Sequence, residues 1–133
     1  MKICIVIANY YPKISKELLL GATKALNENG LKNHKNIFAP GIFEIPVIIA
    51  RNINSYDAFI ALGCVIKGET PHFDFISRAT INSISHLSSI HKKPIGNGII
   101  TCLNKDQAIK RSNPKKKDKG GEAAKAILSV LKI

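Results

Sequence analysis

Two stretches of the chain, Ile3-Cys4-Ile5-Val6-Ile7-Ala8 and Ala58-Phe59-Ile60-Ala61-Leu62-Gly63-Cys64-Val65, are apolar without interruption and rich in β-branched side chains. A strand with one face in water alternates apolar and polar residues. A strand without that alternation is covered on both faces, as in a parallel sheet between two helical layers. The segments between and after these runs have helical periodicity. Leu18, Leu19, Ala22, Ala25 and Leu26 follow the first run, with Ser15 expected as N-cap, Ile14 and Leu19 as a hydrophobic staple, and Gly30 as the stop. A weaker strand is expected at Ile37-Phe38-Ala39. A helix from Phe43 to Ile53 follows, with Pro46 tolerated in its first turn. After the second long run, Thr70 as N-cap and Pro71 at the first helical position open a helix to about His91. A fourth strand is expected near Gly98–Cys102. Asn104 with Gln107 then resembles a capping box, and a last helix carries the stripe Ala123, Ala124, Ile127, Leu128 and Leu131.

This alternation, with short connections, demands right-handed crossovers. It yields an α/β fold: a three-layer α/β/α sandwich of the flavodoxin-like kind around a four-stranded parallel sheet. At 133 residues the chain reads as a single domain spanning residues 1–133. With 45% hydrophobic and 22% charged residues, it is neither disordered nor of low complexity. No apolar run approaches the ~18 residues of a membrane span, and the opening run is too short for a secretory signal. Cys4, Cys64 and Cys102 are far apart within apolar segments. They read as reduced packing residues of a cytoplasmic protein without membrane partners.

The formal charge is +11 and unevenly spread. Through His91 there are nine cations and six anions, whereas the last 42 residues hold eleven and three. The densest cluster is Lys110-Arg111, Lys115-Lys116-Lys117 and Lys119. Such asymmetry points to an anionic partner, although any one lysine is most often simply solvated. One alternative is therefore a basic nucleic-acid-binding α/β module that tracks phosphates with Lys115–Lys119. No recognisable nucleic-acid motif accompanies that run.

In an open parallel sheet, ligands bind beyond the carboxyl ends of the strands, where the strand order reverses. That rule singles out 9–13, 39–44, 65–72 and the segment that starts at 102–104. Tyr10 and Tyr11 offer rings that could stack on a planar heterocycle or simply pack. Glu44 either complements a helix dipole or accepts hydrogen bonds from ligand hydroxyls. Gly68-Glu69-Thr70 leads into a helix N-terminus, where unpaired N–H groups favour an anion such as phosphate. His72 follows in the first turn, and imidazole is the side chain suited to proton transfer near neutral pH. Asp74 reads as an acid complementing the dipole. His34, His86 and His91 show no metal-ligand spacing. Neither GxxxxGK[ST], GxGxxG nor GxSxG occurs, so a phosphorylated metabolite suits the chain better than a nucleotide.

Taken together, these segments resemble the lumazine synthase family of riboflavin biosynthesis. The resemblance is carried by Pro40-Gly41-Ile42-Phe43-Glu44-Ile45-Pro46, by the long block from Tyr56 to Asp74 that includes Gly68-Glu69-Thr70-Pro71-His72, and by Ile95–Thr101. Gln107-Ala108, Arg111 and Asp118-Lys119-Gly120-Gly121-Glu122-Ala123-Ala124 complete it. It implies condensation of 5-amino-6-(D-ribitylamino)uracil with 3,4-dihydroxy-2-butanone 4-phosphate, giving 6,7-dimethyl-8-ribityllumazine, phosphate and water. It also implies that Tyr10 stacks on the pyrimidine and Glu44 holds ribityl hydroxyls. Ile42 and Phe43 offer backbone contacts, while Cys64, Val65 and Ile66 line the pyrimidine site. Gly68, Glu69 and Thr70 approach the phosphate or the butanone, Arg111 binds phosphate with Lys119 close by, and His72 relays protons.

By the same resemblance, no metal or cofactor is needed and nucleic acid is not a partner. The partners are two small-molecule substrates, further copies of the chain in a homopentamer or a multiple of it, and riboflavin synthase as a functional link. The chain also departs from the family pattern. Asn97 falls at the pyrimidine and ribityl site, where many members carry an aromatic residue lent by a neighbouring subunit to cover the pyrimidine. Ile42 replaces a commonly smaller residue, which implies a tighter ribityl pocket. The stretches before Pro40 and around Asn54-Ser55 are compressed.

Overall fold

In the computed structural model, which describes residues 1–132, four strands form one parallel sheet. They are β1 (Ile3–Ala8), β2 (Lys35–Ala39), β3 (Ala58–Ile66) and β4 (Ile95–Cys102), ordered β2-β1-β3-β4. Ile5 lies beside Asn36 on one side and Ile60 on the other, and Val65 lies beside Thr101. All six β1 side chains are buried, as its unbroken apolar run requires. Alternate residues enter opposite layers. Ile3, Ile5, Ile7, Ile60 and Leu62 pack against α1 (Pro12–Glu28), α4 (Lys105–Ser112) and α5 (Lys119–Leu131). Cys4, Val6, Phe59 and Ala61 pack against α2 (Ile45–Asn52) and α3 (His72–His91). The result is the expected three-layer α/β/α sandwich. Each fully buried Ile or Leu contributes roughly 1.5–3 kcal/mol, so the two inner faces of the sheet hold the layers together.

Several element boundaries differ from expectation for local reasons. α1 starts at Pro12 and not after Ser15, because proline at the first helical position gives up an N–H that would have no partner there. Ser15 is buried inside the helix, and its hydroxyl donates to the Ala8 carbonyl at 2.8 Å. That bond ties the end of β1 to the first turn of α1 and fixes the loop that carries Tyr10 and Tyr11. At the other end of α1, Gly30 has φ 78° and the Leu31 N–H reaches the Leu26 carbonyl at 3.0 Å, a Schellman stop. A 3₁₀ turn, Ile42–Glu44, precedes α2. α3 begins at His72, one residue later than expected, yet the Thr70 hydroxyl accepts the His72 N–H at 3.4 Å. Asn104 accepts the Gln107 N–H at 2.9 Å, while the Gln107 side chain accepts from Leu103. β2 and β4 begin earlier than propensity suggests, because pairing with β1 and β3 extends them through Lys35-Asn36 and Ile95-Gly96-Asn97.

The glycines of the Asp118–Glu122 motif have a packing role. A Cβ on Gly120 would collide with the Leu18 backbone carbonyl, so α5 lies on α1 only because that Cβ is missing. Asp118, at φ 48°, caps α5 by accepting the Gly121 N–H at 3.1 Å. Gly120→Ala is therefore expected to lower stability by roughly 1–3 kcal/mol, the usual cost of overpacking. A lower urea midpoint at constant slope checks this, and an unchanged midpoint contradicts it.

Candidate active site

The chain leaves β1 for the sheet edge at β2, then returns across β1 to β3, so the order reverses between β1 and β3. Above the carboxyl ends of those two strands lies a cavity of about 380 Å³. Its floor is the end of β3, with Cys64, Val65 and Ile66. One wall is the β1–α1 loop with Tyr10 and Tyr11, and another is Gly41, Ile42, Phe43 and Glu44. The third consists of Gly68 and Thr70, followed by His72, Phe73 and Ile76 from the first turns of α3.

Ten of the expected residues are thereby gathered around one space: Tyr10, Ile42, Phe43, Glu44, Cys64, Val65, Ile66, Gly68, Thr70 and His72. Tyr10 is 71% exposed, and its ring meets Tyr11 edge-on at 5.0 Å, leaving a free aromatic face. Tyr11, offered with Tyr10 as a stacking ring, and Gly41, within the segment 39–44, line the cavity too, while Phe73 and Ile76 line it beyond the residues expected there. Helical spacing was the available signal for Ile76, since it stands four residues after His72 and so shares its face.

Burial pushes the Cys64 thiol up to about 12, with the neighbouring Cys102 adding to the shift. Burial also raises the Tyr11 phenol, assisted by Cys64 and Tyr10. Both groups are protonated near neutral pH, so Cys64 is an uncharged wall and not a nucleophile. Because Cys4 and Cys102 are buried as well, native protein at pH 8 should show no fast-reacting thiol towards a disulfide reagent, and three after denaturation. One rapid equivalent in the native state would contradict this reading of Cys64.

Four expected residues do not line the cavity. Arg111 is nearby: its Nη1 donates to the Thr101 carbonyl at 2.9 Å and lies 3.8 Å from Cys102 Sγ. Thr101 is the register partner of Val65, so this anchor is one strand spacing, about 4.8 Å, from the cavity floor. Glu69 is exposed on the β3–α3 loop. Among the described residues, the backbone N–H groups of Gly68, Glu69 and Thr70 have no hydrogen-bond partner, so three donors are free between Val65 and α3. Lys119 pairs with Glu122 at 3.0 Å, both partly exposed. Asn97 is exposed on β4 opposite Ala61, several residues before the cavity floor, and its side-chain oxygen accepts the Ile99 N–H at 3.1 Å.

The family model for 6,7-dimethyl-8-ribityllumazine synthase matches residues 1–133. The chain belongs to the 6,7-dimethyl-8-ribityllumazine synthase family. It is 42% identical to 6,7-dimethyl-8-ribityllumazine synthase 1 of Rhodopseudomonas palustris, over 99% of this chain and 85% of that protein. It is 41% identical to the 6,7-dimethyl-8-ribityllumazine synthase of Sphingopyxis alaskensis, over 98% of this chain and 93% of the relative. The Novosphingobium aromaticivorans protein of the same name is 42% identical, over 99% and 95%. Lumazine synthases are transferases of riboflavin biosynthesis that join two small-molecule substrates, and this chain is an enzyme of that kind. The nucleic-acid-binding alternative has no support from these relatives. No helix among the described residues is long and apolar enough to cross a membrane.

Proposed function

We propose that the cavity above β1 and β3 is where this lumazine synthase condenses 5-amino-6-(D-ribitylamino)uracil with 3,4-dihydroxy-2-butanone 4-phosphate. The observation that carries this reading is the convergence, at the reversal of strand order, of an exposed aromatic ring, a carboxylate and an imidazole in a chain of this family. Tyr10 stacks on the pyrimidine over Cys64, Val65 and Ile66. Glu44 accepts hydrogen bonds from the ribityl hydroxyls beside Ile42 and Phe43. The free amides of Gly68, Glu69 and Thr70, with Arg111 and more distantly Lys119, receive the phosphate.

The chemistry suits these groups. The amine attacks the ketone, water leaves to form an imine, phosphate departs, and a second loss of water closes the ring. Every step moves protons and none is a redox step, so His72 at the cavity mouth serves as the relay. Most of the acceleration comes from holding the two substrates together, an effect worth ~7–11 kcal/mol at its extreme.

The same reading makes residues 1–133 one domain of a cytoplasmic homopentamer, or a multiple of it, with a functional link to riboflavin synthase. In such an assembly Asn97 faces a neighbour's cavity and leaves it without an aromatic cover. Light scattering should return five times the chain's mass or a multiple. Mixing the protein with both substrates should generate the lumazine absorbance well above the uncatalysed rate, and a rate equal to the uncatalysed one would overturn the assignment.

A further inference from the structure

The opposite end of the sheet holds a second feature that the condensation does not use. Lys2 stands just before β1, Lys32 and His34 lead into β2 and Lys35 opens it, and Ser55 with Tyr56 leads into β3. All six line one cleft of about 480 Å³ at the amino ends of the strands. Lys32 and His34 also line an adjoining cavity of about 390 Å³. β1 is six residues long, so the cleft is roughly 20 Å from the substrate cavity at ~3.3 Å per residue.

Three properties of the cleft point to a ligand. First, it concentrates positive charge without neutralising it: among the described residues the one ion pair is Lys119–Glu122, so Lys2, Lys32 and Lys35 have no carboxylate partner. Asp57, next to Tyr56 in the chain, accepts the Lys2 backbone N–H at 2.7 Å and makes no ion pair with these lysines. Like charges brought together repel one another and cost stability unless an anion joins them. Second, the Nδ1 of His34 is buried with no hydrogen-bond partner, an expense that a folded chain rarely leaves uncompensated. Third, Ser55 and Tyr56 add hydroxyls of the kind that orient a phosphoryl oxygen.

We propose that this cleft binds a small, multiply charged phosphorylated anion of the diphosphate class, separately from the substrates. The lysines act as point charges and the hydroxyls orient. Three lysines at one open cleft suit a small anion better than a nucleic-acid backbone, which is tracked by a longer row of cations.

Inorganic pyrophosphate is a suitable probe, titrated into the full chain and followed by amide chemical shifts. Saturable shifts are expected at residues 32–35 and 55–57. They should weaken at least tenfold in the double variant Lys32→Ala/Lys35→Ala and persist in Arg111→Ala, which perturbs only the proposed substrate phosphate site. Lumazine formation by the lysine double variant should equal that of the unaltered protein, showing that it folds. Absence of saturable shifts at 32–35 overturns the proposal, and so does binding indifferent to the two lysines. Displacement of pyrophosphate by a short single-stranded oligonucleotide at lower concentration would assign the cleft to nucleic acid instead, and likewise overturn it.

Discussion

His72→Ala should lower kcat roughly a hundredfold, towards the small end of what a positioned acid–base group supplies, and leave measurable turnover. The magnitude follows from the placement of the imidazole. His72 is the first residue of α3, exposed at the cavity mouth, with its backbone N–H on the Thr70 hydroxyl. Water at that mouth can carry protons in place of the imidazole, although less efficiently. The larger contribution, two substrates held in register, does not depend on His72. KM for either substrate should therefore change little. Steady-state kinetics of the variant test this, and an unchanged kcat would remove His72 from the reaction.

Arg111→Ala should have the complementary signature: a higher KM for the phosphorylated ketone, with a smaller effect on kcat. Charge-assisted hydrogen bonds contribute roughly 1.5–3 kcal/mol, which corresponds to about 10- to 150-fold. The guanidinium is half-buried and held on the Thr101 carbonyl at 2.9 Å, so little further ordering is needed when phosphate arrives. Arg111→Lys should restore only part of the loss, since an ammonium keeps the charge but lacks the planar fork. A KM that is unaltered in Arg111→Ala would move the phosphate site elsewhere.

How much of this could be read from the residues depended on how many constraints met at each position. β1 and β3 were legible because strands buried on both faces leave no room for polar residues, and their runs contain none. β2 was faint because it is an edge strand: Lys35, Asn36 and Phe38 are exposed, and pairing with β1 decides its length. Ser15 resembled a cap because its residue type suits one. Pro12 had already started the helix, which left the hydroxyl to bond the Ala8 carbonyl. The location of the cavity followed from topology alone. Its full lining did not: Ile76 shares the His72 face by helical spacing, but Phe73 borders the cavity through the path of α3, which no periodicity specifies. The positions of Asn97 and Lys119 depend on how closely α5 approaches β4 and α1. Gly96, Gly98 and Gly120 permit that approach, and it is visible only once the elements are packed.

The most direct measurement is a crystal structure of the protein with 5-amino-6-(D-ribitylamino)uracil bound. The pyrimidine should stack on Tyr10 above Cys64, Val65 and Ile66, with the ribityl chain on Glu44 and an open position between the ring amine, His72 and the Gly68–Thr70 amides for the second substrate. Well-defined ligand density at any other site, with this cavity unoccupied, would contradict the account.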